Sequence, residues 1–281
     1  MYHQISDEPS EFHYENDLSV KIENFYNQLI FYKNNFNIIS PHDLISKKFQ
    51  TPAILITFDD GEKQFFGKAI EILRDLNFPC LHFLNMEPII GGLNINGLVS
   101  YLINKDKRIF DYFNDDEINI QTITKKQITD FLNYHDKQKI IQKAKVYHGN
   151  WASINDLEKC SKNKLVFFGN HLFNHYNSIN LNNNEIKFQF YENKKYLDKF
   201  NNSVNMFSYP YGQPDLFFNE FTNNIIRNFG ADYIFTANPI NFSKYNNDLI
   251  YHRLPIHNYV DSSSKIREHM VRPQIRNFIK N

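Results

Sequence analysis

The run Thr57-Phe58-Asp59-Asp60-Gly61 constrains what this chain can fold into more than any other feature. It follows Ala53-Ile54-Leu55-Ile56, a short apolar stretch that reads as a buried strand. Two adjacent carboxylates at the end of such a strand resist joint ionisation, and burial raises the cost further. A metal ion offsets that cost by holding one carboxylate charged while the other stays free as a base. Gly61 lets the backbone turn sharply out of the strand. Taken alone, the run reads equally well as an Asp-Asp-Gly turn joining a strand to a helix.

A second run shifts that balance. Leu165-Val166-Phe167-Phe168 is again short and apolar, and it leads into Gly169-Asn170-His171-Leu172-Phe173-Asn174-His175. Histidines four apart share a face where the segment is helical, so both imidazoles can reach one ion. Two His and one carboxylate, with a position left for water, is a common composition for a catalytic zinc-type site. With eleven histidines in the chain, a lone His-x-x-x-His is weak evidence. Preceded by its own strand and paired with a strand-end Asp-Asp-Gly, it is much stronger.

These two runs resemble motifs 1 and 2 of the polysaccharide deacetylases, the NodB-homology carbohydrate esterases. Phe207-Ser208-Tyr209-Pro210-Tyr211-Gly212 is similar to the motif that forms one wall of that family's groove. Met1-Tyr2-His3-Gln4-Ile5 resembles the start of the poly-N-acetylglucosamine deacetylase branch, in which the barrel is circularly permuted and a strand ending in His opens the chain. Trp151 to Leu157 resembles the helix before motif 2, and Arg253-Leu254-Pro255-Ile256 the late strand of that branch. The resemblance covers nearly the whole chain and is weakest between about 88 and 150.

The resemblance implies roles. Asp60, His171 and His175 would bind a divalent ion, zinc first, although such ligands also accept cobalt, nickel or manganese. Asp59 would be the general base, the backbone N–H of Tyr211 would hold the oxyanion, and His3 would protonate the departing amine, with His257 as the second candidate. The implied reaction is N-deacetylation of an acetamido sugar, a glycan or a lipid- or nucleotide-linked precursor, in surface polysaccharide metabolism. Many members open motif 3 with an Arg that orients the catalytic Asp. Here the stretch is Ser208-Tyr209-Pro210, so that contact must come from elsewhere or be missing. Relatives of this barrel hydrolyse cyclic amides, ureides or formamides, which is the second reading. A degenerate glycan-binding barrel is the third, and retention of both Asp and both His argues against it.

Alternation of strand and helix argues for a parallel sheet. Leu18, Ile22, Phe25 and Leu29 share a helical face with Asp17 as N-cap; Phe66, Ile70 and Leu73 share the next. Leu81 to Leu84 reads as a strand, Ile186, Phe190 and Leu197 as a helix, and Phe218, Phe221, Ile225 and Phe229 as another, stopped by Gly230 before the strand Tyr233-Ile234-Phe235. The expected fold is one α/β domain over all 281 residues, a distorted, partly open (β/α) barrel of the NodB-homology type with a helical insertion at approximately 88–163. In a parallel barrel catalytic groups gather at the carboxyl ends of strands, where all three motifs fall.

Charge is balanced, 31 acidic against 31 basic residues, which gives no footprint for a nucleic-acid partner. Aromatic residues, at 16%, suit either sugar stacking or a Phe- and Tyr-rich core; Tyr209 and Trp151 are the candidate stackers, with packing as the plainer reading. Cys80 and Cys160 make no disulfide framework and read as buried thiols. With no signal peptide and no span for a membrane, the expected location is the cytoplasm. Lys265, Arg267, Arg272, Arg276 and Lys280 form a basic end that reads as a solvated helix or as a peripheral contact to phosphates or an anionic membrane.

Overall fold

A computed structural model of the chain describes residues 1–239 and 249–280, without the side chains of 274 and 276–280. Its centre is a six-stranded, wholly parallel sheet ordered β10-β9-β8-β7-β6-β5. The strands are β5 (Ile56–Phe58), β6 (Cys80–Leu84), β7 (Val166–Asn170), β8 (Ser203–Ser208), β9 (Tyr233–Thr236) and β10 (Ile250–His252). Four short strands precede them and pair in parallel: β1 (Gln4–Ile5) with β2 (Ser19–Val20), and β3 (Asn37–Ile38) with β4 (Ala53–Ile54). The apolar run 53–56 is therefore shared between two sheets.

The sheet curls so that its edges approach, and the first residues bridge them. Tyr2 donates its N–H to the Thr57 carbonyl (2.9 Å) and accepts from the Asp59 N–H (3.0 Å), while Ile256 N–H donates to the Met1 carbonyl (3.0 Å). The result is a distorted barrel with Met1 and Tyr2 between β5 and the segment after β10.

Parity along the strands explains the two faces. Leu81, Phe83 and Phe167 pack with Met206 and Phe235 on one side. Cys80, Leu84, Val166 and Phe168 face the other, against Phe25 and Leu29 of α2 (Ile22–Asn35) and Leu73 of α4 (Lys68–Asp75). Both thiols are buried and free, and burial pushes Cys80 well above the ordinary thiol range. Helix α2 starts later than expected. Asp17 has φ 53°, Ser19–Val20 is extended, and Lys21 is the N-cap, because β2 takes the residues that an earlier helix start would need.

The other helices are α1 (Glu11–Glu15), α3 (Pro41–Ser46), α5 (Met86–Ile89), α6 (Ile95–Tyr101), α7 (Arg108–Phe113), α8 (Lys125–Tyr134), α9 (Lys137–His148), α10 (Ile154–Cys160), α11 (Asn183–Leu197), α12 (Glu220–Asn228) and α13 (Ser263–Lys280). Five of them open on a capping box, including Ser153/Asp156 of α10 and Asn182/Glu185 of α11. Phe218 lies before α12 rather than on it. Helices α5 to α10 fall between β6 and β7, and α6, α8 and α9 surround their own core of Leu98, Leu102, Ile128, Phe131 and Ile140, which also takes in Phe12 of α1. At the basic end, Lys265 pairs with Asp261 (2.9 Å) and the Arg267 guanidinium lies 5.6 Å from the Phe31 ring centroid. The side chains of Arg276 and Lys280 lie outside the described residues.

Candidate metal centre

Strand β5 ends in a tight turn. Gly61 N–H donates to the Asp59 carbonyl (3.1 Å), and both Asp60 (φ 77°) and Gly61 (φ 106°) take positive φ. A side chain at Gly61 would also approach Ile89 Cδ1 to 2.9 Å, so both conformation and space call for glycine there. The reversal sends the two carboxylates to different partners.

Asp60 turns to the histidines. Its Oδ1 is 3.3 Å from His171 Nε2 and 3.3 Å from His175 Nε2, and all three residues are buried. His171 Nδ1 lies 2.8 Å from the Ser208 carbonyl, which can only accept, so Nδ1 carries the proton and Nε2 presents its lone pair. His175 stacks edge-on against His171 (5.0 Å) and against Tyr211 (4.8 Å). Asp60 Oδ1 makes no hydrogen bond among the described residues. Burial works against its charge; His175 and His171, if protonated, would hold it well below the ordinary carboxylate range, and an ion between the three would take over that role. One oxygen and two imidazole nitrogens converging without hydrogen bonds between them fit a divalent ion.

The histidine segment is not helical. Leu172 (φ 60°) and His175 (φ 63°) both take left-handed conformations, and this double reversal brings the imidazoles together. A network of amides holds the loop. Asn85 Nδ2 donates to the carbonyls of His171 and Leu172, Asn170 Oδ1 accepts from Leu172 N–H (2.9 Å), and Asn193 Nδ2 donates to Asn170 Oδ1 and to the Leu84 carbonyl (2.8 Å each).

Asp59 faces Arg253. Nη1 and Nη2 bind its two oxygens at 2.6 and 2.7 Å; Nη2 also donates to Ser208 Oγ (2.6 Å) and Nε to the Thr236 carbonyl (3.3 Å), with the guanidinium 5.1 Å from the Phe83 ring centroid. Burial alone would raise the Asp59 pKa, but the Arg253 guanidinium overrides it and holds the carboxyl at about 2. The arginine that grips Asp59 therefore comes from the residue just after β10 and not from the third motif. In the sequence Arg253 reads only as part of a late strand; its one signal was the absence of an arginine before Tyr209.

The remaining expected residues separate. His3 is half-buried beside this cluster. Burial lowers its pKa to about 4 against the opposing charges of Asp60 and Asp59, so it is neutral at pH 7. Tyr211 has φ 62°, its ring stacks on Phe217 (4.5 Å), and its N–H bonds to no acceptor among the described residues. Gly212 behind it has φ 74°, and a Cβ there would lie 2.6 Å from Ala237 N. His257 lies elsewhere, with Nδ1 3.0 Å from the Asp17 carbonyl and the ring stacked on Tyr259. Tyr209 is core, stacked on Phe218 at 4.2 Å with its hydroxyl 3.3 Å from Thr222 Oγ1, and Trp151 stacks on His148 (4.6 Å).

No protein-family model matches the chain, and no curated protein matches it. Solved structures do. The Streptococcus pyogenes deacetylase PplD in complex with acetate superposes with a TM-score of 0.61 at 17% identity, covering 96% of each chain. IcaB from Ammonifex degensii gives 0.59 at 15% identity over 94% of this chain and 93% of its own. A de-N-acetylase from Aggregatibacter actinomycetemcomitans gives 0.61 at 14% identity over 95% and 97%. Matched almost end to end with these proteins, the chain has the fold of the polysaccharide deacetylases.

Proposed function

We propose that the protein is a metal-dependent hydrolase that removes the acetyl group from an acetamido sugar. The observation that carries this reading is the placing of an arginine-clamped carboxylate, Asp59, next in sequence to a buried Asp60–His171–His175 ligand set. Asp60 Oδ1, His171 Nε2 and His175 Nε2 would hold the ion. When bound, a divalent ion lowers the pKa of its water toward neutrality and polarises a carbonyl.

The chain's own groups supply the rest. Arg253 fixes both Asp59 oxygens while leaving carboxylate lone pairs to accept a proton from the attacking water. The Tyr211 N–H, unengaged among the described residues, would donate to the developing oxyanion. His3, neutral at rest, would receive the proton that Asp59 takes from the attacking water and give it to the departing amine. The deacetylase neighbours support the reaction class. Acetate release from N-acetylglucosamine oligomers by zinc-loaded protein tests the reading. Asp59→Asn should keep its metal and lose turnover by about 10²–10⁴-fold, whereas His171→Ala should lose both. Equal metal retention in the two variants would sink these roles.

One observation favours a second reading. Asp60, His171 and His175 are 1–3% exposed. Enclosure of that kind suits a small amide, ureide or formamide more readily than the middle of a polymer. Turnover of such small amides with no acetate from oligomers or from free N-acetylglucosamine would select it.

A further inference from the structure

Beside the first ligand set lies a second one. His13 of α1, Glu62 in the turn after β5, and His148, the last residue of α9, meet in the interior with exposures of 0%, 0% and 2%. Glu62 Oε1 is 3.3 Å from His13 Nε2 and 3.5 Å from His148 Nδ1. Among the described residues no hydrogen bond of good geometry reaches either Glu62 oxygen, His13 Nε2 or either nitrogen of His148. Five such atoms in one place go against the rule that buried polar groups find partners, and each costs free energy when left alone.

A proton does not resolve this arrangement. An imidazolium at His13 would pair with Glu62, whose carboxylate the buried Gln4 amide also adjoins, and would leave both nitrogens of His148 unanswered. A cation answers several at once, because it takes a carboxylate oxygen and two imidazole lone pairs together. The neighbouring groups hold the rings as ligands are held. Ser10 Oγ, which also caps α1, lies 2.6 Å from His13 Nδ1 and leaves Nε2 for the cluster. His148 is sandwiched between Phe12 (4.4 Å, 21°) and Trp151 (4.6 Å, 20°), and Gly97 lies so close that a Cβ there would reach 2.5 Å from its Cδ2.

We infer that His13, Glu62 and His148 form a second site for a divalent ion of the zinc class, which fastens the helical segment between β6 and β7 to the barrel rim. Three separate stretches supply one ligand each: the N-terminal region, the turn that also carries Asp60, and the last turn of α9. The two nitrogens and one carboxylate oxygen suit zinc, cobalt or nickel better than magnesium or calcium. This inference stands whether or not the protein is a deacetylase.

The test is zinc bound per chain after equilibrium dialysis of full-length protein. Wild type should hold two, Asp60→Ala one, Glu62→Gln one, and the double variant none. His148→Gln is a second route to the same count should Glu62→Gln fold poorly. Cobalt loaded into Asp60→Ala should give visible ligand-field absorption that disappears with Glu62→Gln added, and zinc should raise the thermal midpoint of Asp60→Ala but not of the double variant. A wild type that takes one zinc or none, with Asp60→Ala empty, would overturn the inference, as would two zincs retained in both Glu62→Gln and His148→Gln. A single zinc that survives Asp60→Ala but not Glu62→Gln would uphold this site and overturn the first.

Discussion

Arg253 and Asp59 are both nearly solvent-free, so each charge is compensated by the other rather than by water. A buried pair of this kind contributes little net stability when intact, but removing one partner strands a charge at a cost of about 3–5 kcal/mol. Arg253→Met should therefore be destabilised by about that amount in urea unfolding, and adding Asp59→Asn to the same chain should recover a large part of the loss. Simple additivity of the two substitutions would show that the pair is not coupled. Arg253→Lys keeps the charge but not the two-pronged grip. It should keep the metal and lower turnover about 100-fold, the scale of an ångström's misplacement. At this scale the sequence was readable where neighbours in the chain do the work: Asp59 and Asp60 share a turn, and His171 and His175 share a loop. Arg253 lies 194 positions from Asp59, and no local pattern links them. The same holds for His13, Glu62 and His148, which come from three stretches that meet only once the barrel and its insertion have formed.

The elements were legible where apolar spacing acts locally, as in α11 with Ile186, Phe190 and Leu197 and in the short apolar runs that form β6 and β7. They were misread where a neighbouring strand claims the residues, as in β2 ahead of α2, or where left-handed residues replace a helix, as between His171 and His175. Helix α10 offers a quantitative check. Asp156 closes its capping box with Ser153 and binds Lys63 Nζ at 2.6 Å. Burial pushes its pKa up, but the bonds from Lys63 and Ser153 prevail and bring it from 3.8 down to about 2. The folded pKa lies below the unfolded one, so this stabilisation is complete above the unfolded value and is lost as pH falls toward 2. Asp156→Asn should cost about 1 kcal/mol at pH 7, and its urea midpoint should converge on wild type as pH drops from about 4 to 2. A gap that stays constant across that range would mean the carboxylate charge is not the source. Gly169 in β7 gives a second check, because a Cβ there would lie 2.6 Å from Phe83 Cδ1. Gly169→Ala should cost about 1–3 kcal/mol, and Phe83→Leu in the same chain should relieve part of it.

At the scale of the whole molecule, the barrel is a curled six-stranded sheet whose edges are bridged along the backbone by residues at the start of the chain. The same short segment brings His3 beside Asp59 and Asp60, so closing the barrel and completing the site are one structural event. The two contributions are separable by experiment. Tyr2 stacks on Phe58 (5.4 Å) and sends its hydroxyl to Gln28 (3.0 Å), whereas His3 is half-buried and makes none of the strand contacts that hold the seam. His3→Ala should therefore leave the thermal midpoint within a degree or two of wild type, in keeping with a stability change of about 0.5 kcal/mol or less. It should nonetheless lower acetate release by about 10²–10⁴-fold, the usual loss for a proton donor. Tyr2→Ala should do the reverse in stability. Loss of a buried aromatic costs about 3–5 kcal/mol, which at about 2–4 °C per kcal/mol lowers the midpoint by roughly 6–20 °C. If His3→Ala turned over within a factor of about two of wild type, the proton would have to come from another group. His257, engaged with Asp17 away from the ligand set, is not placed to supply it.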